Sequence, residues 1–496
     1  MVLNNQNQYE QIMAHKDDNK QVFCGLLWTF GERISAQLVS TIVTIVLARM
    51  LTPEHYGIIS IVTVFISFLD VFVSGGLESA LIQKKEVDEL DFNTAFVISF
   101  SLSAVLYGIL FVCSPIIADF YSLPELTSVI RVMGLRLPIA SFNCIQQAHI
   151  RRTMRFKAFF WATLIGTATS GFIGIFMAYT GYEVWALVTQ YLTNVLIGTV
   201  MLCIVGSWKA KLEFSLQRAK YIWKFGWKVL VTRLVFTLES DIRSLIVGKV
   251  FGAADLAYYD QGKKYPSILV TNLNSSINKV MLPAYSKEQD NSTRLLQMLR
   301  RSIQVGVYII TPFLIGFAAV APSFVNVVLT DKWIACVPFI QILSLTYITR
   351  PLEESCHQAL LAIGRSETVL KCMIAINSVA LLFVFVAVFY FQSVLAIAWL
   401  GFITTTISLT VFLVSTNKHI GYKAKMQISD ILPSLVNGAI MAVIVGILGR
   451  ALGTGLLGLV LQVLVGAIAY VLGSIVLHVE PYEYLVKKIR GRGANK

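Results

Sequence analysis

Eleven lysines and arginines stand inside stretches otherwise apolar enough to cross a membrane: Arg33, Arg131, Arg136, Lys224, Lys228, Arg233, Arg243, Lys263, Lys264, Lys279 and Arg350. A charge at the centre of a membrane helix costs about 2.5–3.5 kcal/mol on translocon scales, so these groups must line water or pair inside protein. Helical spacing shows which faces they share. Arg33, Gln37, Ser40, Thr41 and Thr44 fall at i, i+4, i+7, i+8 and i+11, one face of a helix. Thr63, Ser67, Asp70, Ser74 and Glu78 repeat the pattern. So do Arg233, Thr237, Asp241 and Ser244, and Asp260, Lys264, Thr271, Ser275 and Asn278. The four stripes predict four helices walling a central aqueous cavity.

The acids available to these bases are Asp70, Glu78, Glu239, Asp241 and Asp260, with Glu32 a sixth. Two readings stand for them. They glue the bundle as counter-charges, or Asp70, Glu78, Asp241 and Asp260 couple movement to an ion or proton. They do not balance the bases, and the surplus attracts an anion; the planar fork of arginine suits phosphate oxygens in particular. Arg350, Glu353, Glu354 and His357 share a face around Pro351. That cluster is either self-satisfied within a loosened helix or a proton relay through His357, whose ordinary pKa lies near neutrality.

Enzyme motifs do not emerge: there is no GxxxxGK[ST] loop, no HExxH and no Ser/His/Asp constellation at a known spacing. The expectation is a transporter that needs no cofactor or metal. The seven cysteines, Cys24, Cys113, Cys144, Cys203, Cys336, Cys356 and Cys372, are scattered through apolar sequence and read as small hydrophobes.

The elements that must position these side chains follow from composition. Of 496 residues 56% are hydrophobic and 14% charged, with mean hydropathy +0.69, more apolar surface than a soluble core can hide. The chain reads as an all-α polytopic membrane protein with about fourteen spans. They run 23–48, 56–82, 92–119, 125–150, 158–180, 183–207, 219–248, 256–284, 302–329, 335–362, 366–391, 393–416, 428–449 and 455–478. Residues 1–22 are polar, without the basic start and apolar core of a cleaved signal peptide. Of the 41 lysines and arginines, 26 fall in one alternate set of connections; only Arg49, Lys249, Lys332 and Arg450 fall in the other. The positive-inside rule then puts both termini in the cytoplasm, and reads the net charge of +13 as topological rather than as nucleic-acid binding.

The chain is also a duplication. Trp28-Thr29-Phe30-Gly31 recurs as Trp223-Lys224-Phe225-Gly226, and Leu47 to Leu51 as Val247 to Phe251. Leu77 to Ile82 recurs as Ile277 to Leu282, Ser114-Pro115 as Ala321-Pro322, and Leu137-Pro138 as Arg350-Pro351; Arg155 falls near Arg365. Equivalent positions lie six spans apart, an even number, so the halves are parallel repeats with a pathway expected between them. The expected organisation is an N-lobe at 23–207, a linker at 208–218, a C-lobe at 219–416, two appended spans within 428–478 and a basic tail at 479–496.

Trp28-Thr29-Phe30-Gly31 and the run Leu47-Ala48-Arg49-Met50-Leu51-Thr52-Pro53-Glu54-His55-Tyr56-Gly57 resemble the LARxLxPxxYG signature of Wzx-type polysaccharide flippases of the MOP exporter superfamily. Tyr182 to Val188 and Leu282-Pro283-Ala284-Tyr285-Ser286 are similar to stretches of its branch exporting colanic-acid-like and teichuronic-acid-like polymers. The resemblance implies two six-helix lobes around a cavity, with two extra helices. It implies movement of an undecaprenyl-diphosphate-linked oligosaccharide across the bacterial inner membrane, for O-antigen, capsule or exopolysaccharide synthesis. The implied partners are that glycolipid, membrane lipids, and a polysaccharide polymerase with its chain-length machinery. By position it implies contacts to diphosphate and sugar from Arg33, Arg49, Lys249 and Lys264, and Arg233 joins them through its stripe. A multidrug antiporter of the same superfamily, a lipid II flippase, a membrane glycan polymerase or ligase, and a scaffold without transport are the rival readings. Arg33→Ala and Lys264→Ala are expected to cut transport in reconstituted vesicles while insertion persists, and Lys418→Ala to change neither; wild-type flux in both cavity variants refutes the cavity.

Overall fold

A computed structural model describes residue 28 and residues 31–153, 155–206 and 208–493. Lys16 and Lys20 of the N-terminal segment, and the side chains of Glu239, Ser275, Asn278 and Lys279, lie outside the described residues. The described chain is helical and carries no strand. Hydrocarbon offers no partner to a peptide N–H or C=O, so a spanning segment must satisfy its backbone internally.

Among the described residues twelve helical spans are long and apolar enough to cross a membrane. The seventh and eighth expected spans also form helices, of 35 residues each, but the charges of the one and the polar residues of the other keep them out of that set. Contacts divide the chain into two compact units, Met1–Ala254 and Asp255–Lys496.

The first unit holds α1 (Gly31–Met50), α2 (Pro53–Ser74), α3 (Leu77–Gln83), α4 (Glu89–Tyr121) and α5 (Glu125–Met133). It continues with α6 (Arg136–Arg152), α7 (Phe156–Tyr179), α8 (Val184–Val205) and α9 (Leu216–Val250). The α2–α3 break falls at Gly75-Gly76. Although the repeat pattern begins a second lobe with α9, this helix packs on α2, α3 and α4. Gly76 permits that, and Gly57 admits the chain just after α9. A Cβ on Gly57 would stand 1.9 Å from the Ala253 carbonyl oxygen, and one on Gly76 would stand 2.2 Å from that of Gly226. Close backbone approach through small residues is how membrane helices gain contact where lipid supplies no hydrophobic drive.

The segment before α9 is anchored too. Trp208 is buried, its Nε1 donating to Asn93 Oδ1 at 3.0 Å while its carbonyl accepts from Gln146. Asp91 is fully buried between Lys84, 2.6 Å away, and Arg218 at 3.3 Å. Nearby Asp88 is held below the ordinary carboxylate range: slight burial opposes this, but hydrogen bonds with Asp91 and the charge of Arg218 outweigh it.

The second unit holds α10 (Ala253–Lys287, from its third residue), α11 (Ser292–Phe324), α12 (Val337–Tyr347) and α13 (Arg350–Ala362). After these come α14 (Ser366–Val386), α15 (Val394–Ile420), α16 (Ala424–Leu452), α17 (Leu456–Val476) and α18 (Glu480–Gly493). The duplication reaches individual caps. Asp88 accepts from the Asp91 N–H at the start of α4, and Asn291 from the Arg294 N–H at the start of α11; both helices have 33 residues. Breaks precede Pro138 and Pro351 alike, at α5–α6 and α12–α13, whereas Pro266, Pro312 and Pro433 lie inside continuous helices.

The two spans without a counterpart in the first half, α16 and α17, pack on α11. A Cβ on Gly438 would meet Thr311 Cγ2 at 2.5 Å. Asn437 Nδ2 donates to the Tyr470 carbonyl and to Ser474, and Tyr470 donates to the Tyr308 carbonyl at 2.9 Å. Buried Asp430 accepts from Arg300 at 2.6 and 2.7 Å, from Gln304 at 3.0 Å and from Tyr422 at 2.8 Å. Asp430→Ala strips three side chains of their acceptor and should destabilise the protein by about 3–5 kcal/mol. Exposed Asp290→Ala should change nothing, with thermal unfolding in detergent comparing the two.

Candidate functional site

In the first unit α1, α2, α3, α6, α7 and α8 enclose a chamber of about 700 Å³ whose wall is more polar than apolar. Polar sequence periodicity builds it. Arg33 comes from the α1 stripe, Asp70, Ser74 and Glu78 from the stripe running through α2 into α3. Facing them, α6 presents Arg136, Asn143, Gln147 and Arg151. These lie at i, i+7, i+11 and i+15, a single helix face, so each polar group reaches the same space.

A continuous polar chain runs along that face. Glu78 Oε1 pairs with Arg151 Nη1 at 2.5 Å, and Arg151 Nη2 donates to Gln147 Oε1 at 2.9 Å. Gln147 Nε2 then donates to Asn143 Oδ1 at 2.5 Å, and Asn143 Nδ2 to Thr199 Oγ1 at 2.9 Å. On the α7 side Thr163 donates to Glu32 Oε1 at 2.9 Å. Asp70 lies within electrostatic reach of Arg136 and of Arg233 on α9, and its Oδ1 is buried without a hydrogen-bond partner among the described residues. Three arginines and three carboxylates line the chamber, and Arg233 beside Asp70 tips the local balance toward positive charge. Arg33 and Arg136 form no ion pair among the described residues. They are the groups most open to an arriving anion.

The chamber therefore joins Arg33, Asp70 and Glu78, with Arg233 close by, and leaves other candidates elsewhere. Arg49 is exposed near the end of α1. Lys249 sits 16 residues along α9 from Arg233, about 24 Å at helical rise. There its Nζ donates to the Phe120 carbonyl and lies 4.5 Å from the centre of that ring. Asp241 is half-buried on α9 and has interactions of its own. Asp260 and Lys264 belong to α10 and His357 to α13, all in the second unit. His357 lies 3.6 Å from Glu354, and Arg350 lies 3.7 Å from Glu353, so that cluster pairs within its own helix. Arg131, counted with the intramembrane bases, donates to Ser114 at 2.9 Å and stacks on Phe111, a packing role on α4.

Sequence reasoning missed the α6 face. Arg136 was visible as an intramembrane charge and Arg151 as a loop charge, and testing residues 136–151 for helical period would have joined them.

The chain matches the family described as polysaccharide biosynthesis protein over residues 46–338. It is 24% identical over 487 residues to teichuronic acid biosynthesis protein TuaB of Bacillus subtilis (strain 168), covering 96% of this chain and 98% of that one. Its fold matches lipid II flippase MurJ in an inward closed conformation with a TM-score of 0.73 at 14% identity, over 93% of this chain and 100% of that chain. It also matches an inward-facing multidrug resistance MATE family transporter of the MOP superfamily, TM-score 0.63 at 16% identity, over 78% and 94% of the two chains. The fold is the one these two transporters share, and the protein is a multi-pass membrane protein, as the sequence led one to expect.

A hydrated, weakly positive chamber makes a direct prediction. In a cysteine-free background, Asn143→Cys should react with water-soluble thiosulfonates, faster with an anionic than with a cationic reagent. Val73→Cys, fully buried, should stay unmodified; mass spectrometry of the labelled protein reads both.

Proposed function

The chain belongs to the polysaccharide biosynthesis protein family, and from that premise we propose that it is a flippase for lipid-linked oligosaccharides of surface-polysaccharide synthesis. The substrate is an undecaprenyl diphosphate bearing an oligosaccharide repeat unit, moved from the cytoplasmic to the outer leaflet of the bacterial inner membrane. The observation that carries the reading is the chamber: arginines held in water-facing positions by helices that otherwise fit a membrane. A diphosphate is the anion such a site suits, because each guanidinium offers two parallel donors to phosphate oxygens.

The movement is alternating access. Diphosphate and glycan enter the polar interior while the polyprenyl tail stays in lipid, and rocking of the lobes exposes them on the other side. Arg33 and Arg233, with Arg136 added from α6, are the first substrate contacts; Arg49, Lys249 and Lys264 are the further ones. Asp70, Glu78, Asp241, Asp260 and His357 are the candidate groups for ion or proton coupling. Both termini face the cytoplasm on this reading, by the excess of lysine and arginine in alternate connections. Polymerase and chain-length machinery are the proposed partners downstream.

Multidrug transport is the second reading, supported by the MATE likeness of the fold. Cationic drugs favour an acidic cavity, and the chamber has as many arginines as carboxylates before Arg233 is added. A polymerase or ligase needs room for an acceptor site outside the membrane. Among the described helices no link is longer than the twelve residues 325–336, and those are themselves mostly short helical turns.

The deciding experiment reconstitutes the protein in liposomes with a fluorescent undecaprenyl-diphosphate oligosaccharide and adds a membrane-impermeant quencher. Protein-dependent loss of the protected inner-leaflet pool is expected, and Arg136→Gln should weaken apparent substrate affinity about tenfold or more. A pool that stays protected with several glycans and under imposed proton and sodium gradients overturns the proposal.

A further inference from the structure

The second unit holds a separate cavity of about 830 Å³, formed where α18 folds back beside α10 and α11. Three stripes make its wall. On α11 the stripe begins with Arg294 and Arg301 and continues to Val305 and Ile309. On α10 it is Met281, Ile277 and Leu273, apolar throughout, and on α18 it is Glu480, Tyr484 and Lys488. Successive members lie four or seven residues apart, so each stripe faces inward.

The cavity is graded along its depth. Its charges sit at one edge, at the start of α11 and on α18, which follows the last apolar span by only a short turn. From Arg301 to Ile309 the wall descends about 12 Å at helical rise and becomes apolar. The charged edge thus lies at the boundary of the hydrocarbon and the apolar part within it.

The cations at that edge are not all matched. Arg300 is bound by Asp430, Arg294 lies 3.3 Å from Glu288, Glu480 accepts from Gln304, and Glu483 faces Lys487. Arg301 and Lys488 pair with no carboxylate among the described residues. They flank one ring instead: Arg301 Cζ is 4.2 Å and Lys488 Nζ 5.6 Å from the centre of Tyr484. Two like charges gathered on one aromatic surface, at the mouth of an apolar channel, complement an anionic head with a hydrocarbon tail.

We propose that this cavity binds an anionic glycerophospholipid of the surrounding bilayer, its phosphate between Arg301 and Lys488 and one acyl chain along Val305, Ile309, Ile277 and Leu273. The lipid braces α18 against α11, so occupancy stabilises this end of the unit. It is distinct from the chamber of the first unit and does not depend on the transport reading.

The test uses the full-length protein in nanodiscs and in detergent. Native mass spectrometry should show phosphatidylglycerol retained in preference to phosphatidylcholine, and phosphatidylglycerol alone should raise thermal stability. Arg301→Gln with Lys488→Gln, both exposed side chains, should weaken retention roughly twentyfold. Val305→Phe, which fills the channel and leaves the charges, should also reduce retention; this variant guards against a purely surface effect. Equal retention of the two lipids, or retention unchanged in the charge variant, overturns the site. Stabilisation by inorganic phosphate equal to that by phosphatidylglycerol overturns the lipid, leaving a phosphate site. Complete displacement by undecaprenyl phosphate at equimolar concentration assigns the cavity to the carrier lipid and overturns the phospholipid.

Discussion

A charge within a membrane helix must find water or a counter-charge, since bare hydrocarbon offers neither. Arg33, Asp70, Glu78, Arg136 and Arg151 all meet that demand in one place, around the chamber of the first unit. Six helices are oriented by it. Each turns its polar stripe inward and its apolar remainder outward, which is why so many large apolar side chains, Phe172 and Leu196 among them, remain exposed in the isolated chain. In a soluble protein that surface would be a defect; in a bilayer it is the face that lipid covers.

The same constraint shapes the contacts between helices. With no hydrophobic gain from leaving lipid, packing relies on close approach and internal hydrogen bonds. Gly76 lets α9 lie against the α2–α3 break, Gly57 lets the first residue of α10 lie against α2, and Gly438 lets α16 lie against α11. Asn437, Tyr308, Tyr470 and Ser474 then bond across helices rather than to water. The appended pair α16 and α17 is thereby joined to the duplicated frame through α11, the helix whose opening turns also carry the charged edge of the lipid cavity.

Duplication explains why features recur at matching places with different chemistry. Asp88 and Asn291 cap equivalent helices, one charged and one neutral. Pro138 and Pro351 follow equivalent breaks, yet α6 carries a chamber wall of Arg136, Asn143, Gln147 and Arg151, whereas α13 carries acids paired within the helix. The repeats preserve backbone geometry, which packing dictates, while the side chains facing water diverge freely.

The amino-acid sequence by itself determined the all-α membrane class, the duplication, and the polar stripes of α1 and α2, because each is a property of local composition and period. It also nominated Arg33, Asp70 and Glu78. Only tertiary structure decided which stripes share a space. It separated Lys249 from the chamber, gave Arg131 to Phe111 and Ser114, added α6, and packed α9 on α2 although the repeat pattern begins a second lobe there. The reason is physical: helical period says which side chains share a face, but the partner of that face is chosen by close-packing glycines and by counter-charges distant in sequence, such as Glu78 for Arg151 and Asp430 for Arg300.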